Sequence, residues 1–100
     1  MRGIIIKLIN EGGYMLLEMN ARNFMRKKEA EKRVVPTEAV AMMYGDEKDK
    51  CIVFYLNSNN YIEVSYDDYE DAERDMATIK REWYSNTVIL LKNIDCKIFS

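Results

Sequence analysis

Residues 51–84 read CIVFYLNSNNYIEVSYDDYEDAERDMATIKREWY, and this stretch changes its hydrophobic period once. Over 51–57 the apolar residues alternate, with Ile52, Phe54 and Leu56 on one side and Cys51, Val53 and Tyr55 on the other. A period of two is the pattern of a strand. Ser58-Asn59-Asn60 has turn chemistry, and 61–66 (YIEVSY) alternates again, with Ile62 and Val64 opposite Tyr61, Glu63 and Ser65. The two runs make a β-hairpin. From Tyr69 the period lengthens: Tyr69, Ala72, Met76, Ile79 and Trp83 follow one another at intervals of 3, 4, 3 and 4 residues. That spacing lines one face of a helix over about 67–84. Ser65 or Asp67 is placed to cap it, and Asp67-x-x-Glu70 has capping-box spacing. Glu70 and Arg74 form a favourable i,i+4 pair, and Ser85-Asn86 ends the helix.

Outward from this stretch the signals are mostly those of strands. Residues 3–9 (GIIIKLI) are β-branched, and Asn10-Glu11-Gly12-Gly13 supplies a turn in which glycine takes positive φ at no steric cost. Residues 14–19 (YMLLEM) return as the second arm of a hairpin. Ile5, Ile6 and Leu8 occupy both faces of the first arm, as expected of a central strand. Residues 38–44 (EAVAMMY) are compatible with a helix between Pro36 and Gly45. We read them as a strand because a hairpin-like turn (GDEKDK, 45–50) leads from them into 51–57. Residues 87–91 (TVILL) form another strand, and 94–99 (IDCKIF) add a short one at the sheet edge. Residues 20–33 fit either a surface helix capped by Asn20 or a charged connection, with little apolar face to bury. Val35, preceding Pro36, is driven to extended geometry. The expected fold is α+β: a mostly antiparallel sheet of five or six strands, with one long amphipathic helix packed on one face.

A chain of 100 residues that is 48% apolar corresponds to one small globular domain, residues 1–100. It has no apolar run long enough to span a bilayer. Its N-terminal MRGIIIKLIN lacks the long apolar core and small-residue cleavage site of a signal peptide, so a cytoplasmic location is expected. The abundance of Ile, Asn, Lys, Glu and Tyr follows AT-rich codons and points to a low-GC bacterium or its phages. Cys51 and Cys96 lie 45 residues apart in apolar alternating runs, the setting of buried free thiols.

The chemistry the sequence lacks narrows the function. Without histidine there is no Ser–His–Asp triad, no imidazole acid or base and no His-ligated metal site. The two cysteines do not have the spacing of a zinc or redox motif, and no glycine-rich loop opens a helix to cradle phosphate. Asp46, Glu47 and Asp49 cluster in one turn between Lys48 and Lys50 but do not have the register of a calcium loop. No catalytic residue, cofactor or metal is expected.

Two opposed blocks of charge hide behind the net charge of −2. Residues 67–75 carry six Asp/Glu against Arg74, and residues 22–33 carry six Lys/Arg against two Glu. The carboxylates Asp67, Asp68, Glu70, Asp71 and Asp75 sit at the start of the helix, where the macrodipole favours their ionised form and suits them poorly to general acid catalysis. They form either a solvated face or a surface for a basic partner. Arg22, Arg26, Lys27, Lys28, Lys32 and Arg33 form either a solvated segment or a phosphate-binding one. Phe24 is the only aromatic among them, which gives little support to base stacking. Tyr44, Tyr55, Tyr61 and Tyr66 fall on the predicted sheet, and on an uncovered face they would make an aromatic interface. The expectation is a non-catalytic protein-interaction module using the acidic helix face, the aromatic sheet face or both. A phage or mobile-element inhibitor of a host nucleic-acid-binding enzyme is one concrete form. The alternatives are a small nucleic-acid-binding factor using residues 22–33 and a homodimeric structural protein; no membrane partner is expected.

Overall fold

The computed structural model describes residues 5–23 and 30–99. In chain order the elements are β1 (Ile5–Glu11), β2 (Tyr14–Asn23), β3 (Glu31–Pro36), a 3-10 turn (Thr37–Ala39), β4 (Val40–Asp46), β5 (Cys51–Leu56), β6 (Tyr61–Ser65), α1 (Tyr69–Arg81), β7 (Thr87–Leu90) and β8 (Asp95–Phe99). The class is α+β, as expected, but the sheet is larger and mixed. Its strands run β4-β5-β6-β8-β2-β1-β7, with β3 also paired to β2. The single parallel pairing among these is β2 with β8, where Arg22 faces Lys97 and Asn23 faces Ile98.

Local chemistry explains the hairpins. Gly12 and Gly13 take φ of +60° and +87° in the two-residue turn between β1 and β2, which suits the twist of the arms. Asn59 takes φ of +68° in the turn between β5 and β6, where an Asn side chain tolerates the left-handed region. Alternation then sorts the side chains. Ile6 and Leu8 of β1, Leu17, Met19 and Ala21 of β2, Ile52, Phe54 and Leu56 of β5, and Ile62 and Val64 of β6 join one core cluster. Ala72 and Ile79 of α1, Ile89 of β7 and Cys96 of β8 belong to it as well, with Tyr66 just before α1 and Leu91 just after β7, so the curled sheet and the helix share a core.

The helix lies on the core face of β4 and β5. Trp83 meets Phe54 edge-on, with ring centroids 6.4 Å apart. Tyr69 and Met76 lie over Gly45: a Cβ at that position would collide with the Tyr69 hydroxyl and sit 3.3 Å from Met76 Cε. Helix α1 ends at Arg81, short of the expected residue 84, and Trp83 follows in a turn closed by Ser85 N donating to Glu82 O at 2.9 Å. The cap is Asp68, in place of Ser65 or Asp67, and its Oδ1 accepts from Glu70 N at 3.0 Å.

Two further expectations are corrected. No helix spans 20–33: residues 20–23 extend β2 and residues 31–33 begin β3. Ala21 is buried in the core, and residues 16–21 pair with 31–36 rung by rung, so strand pairing overrides the weak helical signal. Residues 24–29 of that stretch lie outside the described residues. Strand β8 is not at the edge either. It lies between β6 and β2, with Cys96 paired to Val64 and Ile98 to Ile62. Its outward charges are matched by its neighbours: Arg22 makes a two-pronged contact with Asp95 (2.8 and 3.1 Å), and Lys97 lies 3.6 Å from Glu63. Pairing of this kind lets a polar-looking strand sit inside a sheet.

Candidate functional site

The acidic block divides in two. Asp67, Asp68 and Glu70 are exposed at the start of α1, and Asp71 is held 2.7 Å from Arg74. Asp75 is set apart from them at 8% exposure. Its Oδ2 accepts from the Tyr66 hydroxyl and from Lys92 N, both at 2.8 Å, so it ties the helix to the end of β6 and to the segment entering β8. Asp75 is therefore a buried structural acceptor and not part of an exposed face. Tyr66 is buried with it, and burial, then the bond to Asp75, pushes its phenol pKa well up.

The basic block is dispersed. Arg22 is engaged with Asp95, Lys32 lies 3.8 Å from Glu18, and Arg33 lies 3.7 Å from Glu31. Arg26, Lys27 and Lys28 lie outside the described residues. In place of the surface helix or charged connection expected there, the cations of the described residues lie on two paired strands and face carboxylates.

Folding gathers a different constellation. The outer face of β4-β5-β6-β8, opposite α1, is built in rows across the strands. One row pairs Met42, Tyr55, Tyr61 and Phe99, and the next pairs Tyr44, Val53, Glu63 and Lys97. Met42, Tyr44 and Tyr55 are 52%, 41% and 36% exposed, while Tyr61 and Phe99 stack on each other at 4.5 Å. Val53, a short side chain among longer ones, is only 5% exposed. It floors an open cleft of about 250 Å³ walled by Tyr44, Tyr55, Tyr61, Asp46, Asp49 and Glu63. In the next row Cys51, paired with Asp46 and Ser65, is buried, and burial, then Glu63, Asp46 and Asp49, push its thiol from an ordinary 9.0 up to about 12.

The cleft opens at the acidic end of the molecule. Tyr66 N donates to Lys50 O at 2.9 Å, which ties the 47–50 turn to the entry of α1. The turn carboxylates Asp46, Glu47 and Asp49 therefore lie at the same end as Asp67, Asp68 and Glu70. The Tyr69 phenol registers this: burial first, then Glu73, Glu47 and Asp46, push it up. Among the described residues, no group of three or more His, Cys, Asp or Glu is placed to hold a metal.

A second groove, of about 540 Å³, lies by the far end of α1, between Trp83, Tyr84, Met15, Val40 and Glu38. Among the described residues that line it, Glu38 and the Tyr84 phenol are the ionisable groups, so it offers few charged groups to orient a ligand.

Of the four tyrosines expected on the sheet, Tyr44, Tyr55 and Tyr61 share this face, whereas Tyr66 is buried against Asp75 and does not belong to it. The alternation of β5 already placed Val53 beside Tyr55. That of β6 likewise places Glu63 beside Tyr61, while which strands lie side by side, and with them the place of Phe99, depends on pairing between distant segments. Comparison with protein families, with characterised proteins and with solved structures returned no match.

Proposed function

We propose that this protein is a non-catalytic interaction module that docks on another protein through the outer face of β4, β5, β6 and β8. The observation that carries this reading is the grouping of Met42, Tyr44 and Tyr55 in partial exposure beside the Tyr61–Phe99 stack. Aromatic and methionine side chains are enriched at the centres of protein interfaces, because they bury large areas with few torsions to freeze. Asp46 and Asp49 wall the cleft in this face, and the carboxylates of the α1 entry lie at the same end of the molecule, which suits a basic partner surface of the kind nucleic-acid-binding proteins carry. Inhibition by occupying such a surface is the form of activity we favour.

Direct nucleic-acid binding through this face has less support. Tyr61 and Phe99 cover one another, which removes ring faces that bases would stack on. The cations Arg22 and Lys97 already face Asp95 and Glu63.

Affinity capture from an extract of the source cells tests the reading. The double variant Tyr44→Ser/Tyr55→Ser should lose the protein captured by the unaltered chain while keeping its thermal melt. The control Val88→Ser/Leu90→Ser, at exposed positions on β7, should retain it. Capture that survives the first pair and fails with the second would reject this face.

A further inference from the structure

We infer that the cleft above Val53 is a receptor for a single arginine side chain projecting from the protein partner. The inference rests on the docking face proposed above and names the chemistry at its centre. Three observations combine. The walls include three tyrosines: Tyr44 and Tyr55 are partly exposed and offer electron-rich ring surface to a cation, while Tyr61 is held in place by its stack on Phe99. The remaining walls are the carboxylates Asp46, Asp49 and Glu63. The volume of about 250 Å³ holds one long side chain and falls below the roughly 300–1,000 Å³ of small-molecule pockets.

The depression has a simple origin. On β5 the outward residue is Val53, paired with Tyr44 on one side and Glu63 on the other, while Tyr55 pairs with Tyr61 one step along. A short β-branched side chain surrounded by longer ones leaves a pit with an apolar floor, aromatic walls and a negative rim. Asp46 Oδ1 accepts from Asp49 N at 3.1 Å, which holds the turn so that the rim keeps its shape. Lys97 lies 3.6 Å from Glu63 and offsets part of that charge, while Asp46 and Asp49 add to the field of the acidic end. A guanidinium fits this setting better than an ammonium. It is planar, stacks on aromatic rings, holds its charge at every physiological pH and donates in a fork to carboxylates.

The test is titration of the isotope-labelled full chain with three blocked tripeptides, Gly-Arg-Gly, Gly-Lys-Gly and Gly-citrulline-Gly, followed by NMR. The arginine peptide should shift the Val53 methyls and the rings of Tyr44, Tyr55 and Tyr61. The neutral citrulline peptide should bind about ten-fold more weakly or worse, since it keeps the shape and loses the charge-assisted bonds. The lysine peptide should fall between them. Asp49→Asn/Glu63→Gln should abolish the shifts, and so should Val53→Phe, which fills the pit. Absence of shifts with the arginine peptide, or equal binding by citrulline, overturns the inference. These outcomes are separable from the docking face itself. If the arginine peptide fails while Tyr44→Ser/Tyr55→Ser still releases the captured partner, the face stands and the arginine receptor falls. If the peptide binds in the cleft while that variant keeps its partner, the cleft binds a guanidinium but the docking face falls, and the assignment of the arginine to that partner falls with it.

Discussion

At the scale of single residues, burial changes what a side chain is for. Asp75 reads as one carboxylate of an acidic run, yet it accepts two hydrogen bonds inside the protein. Removing one donor should be costly, because a bond to a buried charged acceptor contributes about 1.5–3 kcal/mol. Tyr66→Phe should therefore lower stability by ~2 kcal/mol, which for a chain of this size is roughly 4–8 °C of Tm per kcal/mol, read by thermal melting. Gly45 is a second case. A methyl group there meets the Tyr69 hydroxyl, so Gly45→Ala should cost about 1–3 kcal/mol, and adding Tyr69→Phe should recover part of it. The thiols set a pH limit. Burial, then carboxylates, holds Cys51 and Cys96 up to about 12 against an ordinary 9.0. Above about pH 9 the unfolded chain releases these protons while the folded chain keeps them, so stability falls as pH rises towards 12. Urea midpoints measured from pH 7 to 11 should decline above pH 9, and Cys96→Ala should flatten part of that slope.

At the scale of elements, β8 is where local signal and position part company. Its sequence, DCKIF, is short and half polar, which suits an edge. Its place between β6 and β2 follows from partners far away in the chain, Arg22 for Asp95 and Glu63 for Lys97. A chain ending at Asn93 should therefore lose cooperative folding, because β6 and the tip of β2 would both lose a pairing partner. Circular dichroism melting and amide dispersion read this directly, and a sharp melt in the truncated chain would put β8 back at the periphery. The helix behaves differently. Its stripe of Tyr69, Ala72, Met76, Ile79 and Trp83 was legible residue by residue, because i+3 and i+4 neighbours meet whatever the rest of the chain does. Its cap is Asp68 and not Ser65 or Asp67 as expected, since all three side chains can accept from a helix N–H and only the backbone geometry chooses among them.

At the scale of the whole molecule, charge is organised by ends more than by segments. The acids of the 46–49 turn and of the α1 entry are about twenty residues apart in sequence and share one end of the fold, with the tyrosine cleft opening beside them. Capture of a protein partner through this end should weaken strongly as salt rises from about 0.1 to 1 M, because exposed charges are screened over distances of roughly 10 Å and 3 Å respectively. Charge reversal at Asp49 and Asp67 should lower capture at constant stability, while Glu38→Lys near the far end of α1 should leave it unchanged. Pull-down across a salt series, with melting as the control, measures both.

Most elements and their buried faces are legible in the chain because they depend on neighbours two, three or four residues away; β3 and the end of β2 are not, since their strand geometry rests on pairing with each other. The β5–β6 hairpin, the stripe of α1, the glycine turn and the burial of both cysteines are all of this kind. The order of strands, the central place of β8, the burial of Tyr66 with Asp75 and the assembly of the cleft from β4, β5 and β6 were not. Each depends on pairing between distant segments, and period-two alternation says which side of a strand faces inward without saying which strand lies beside it.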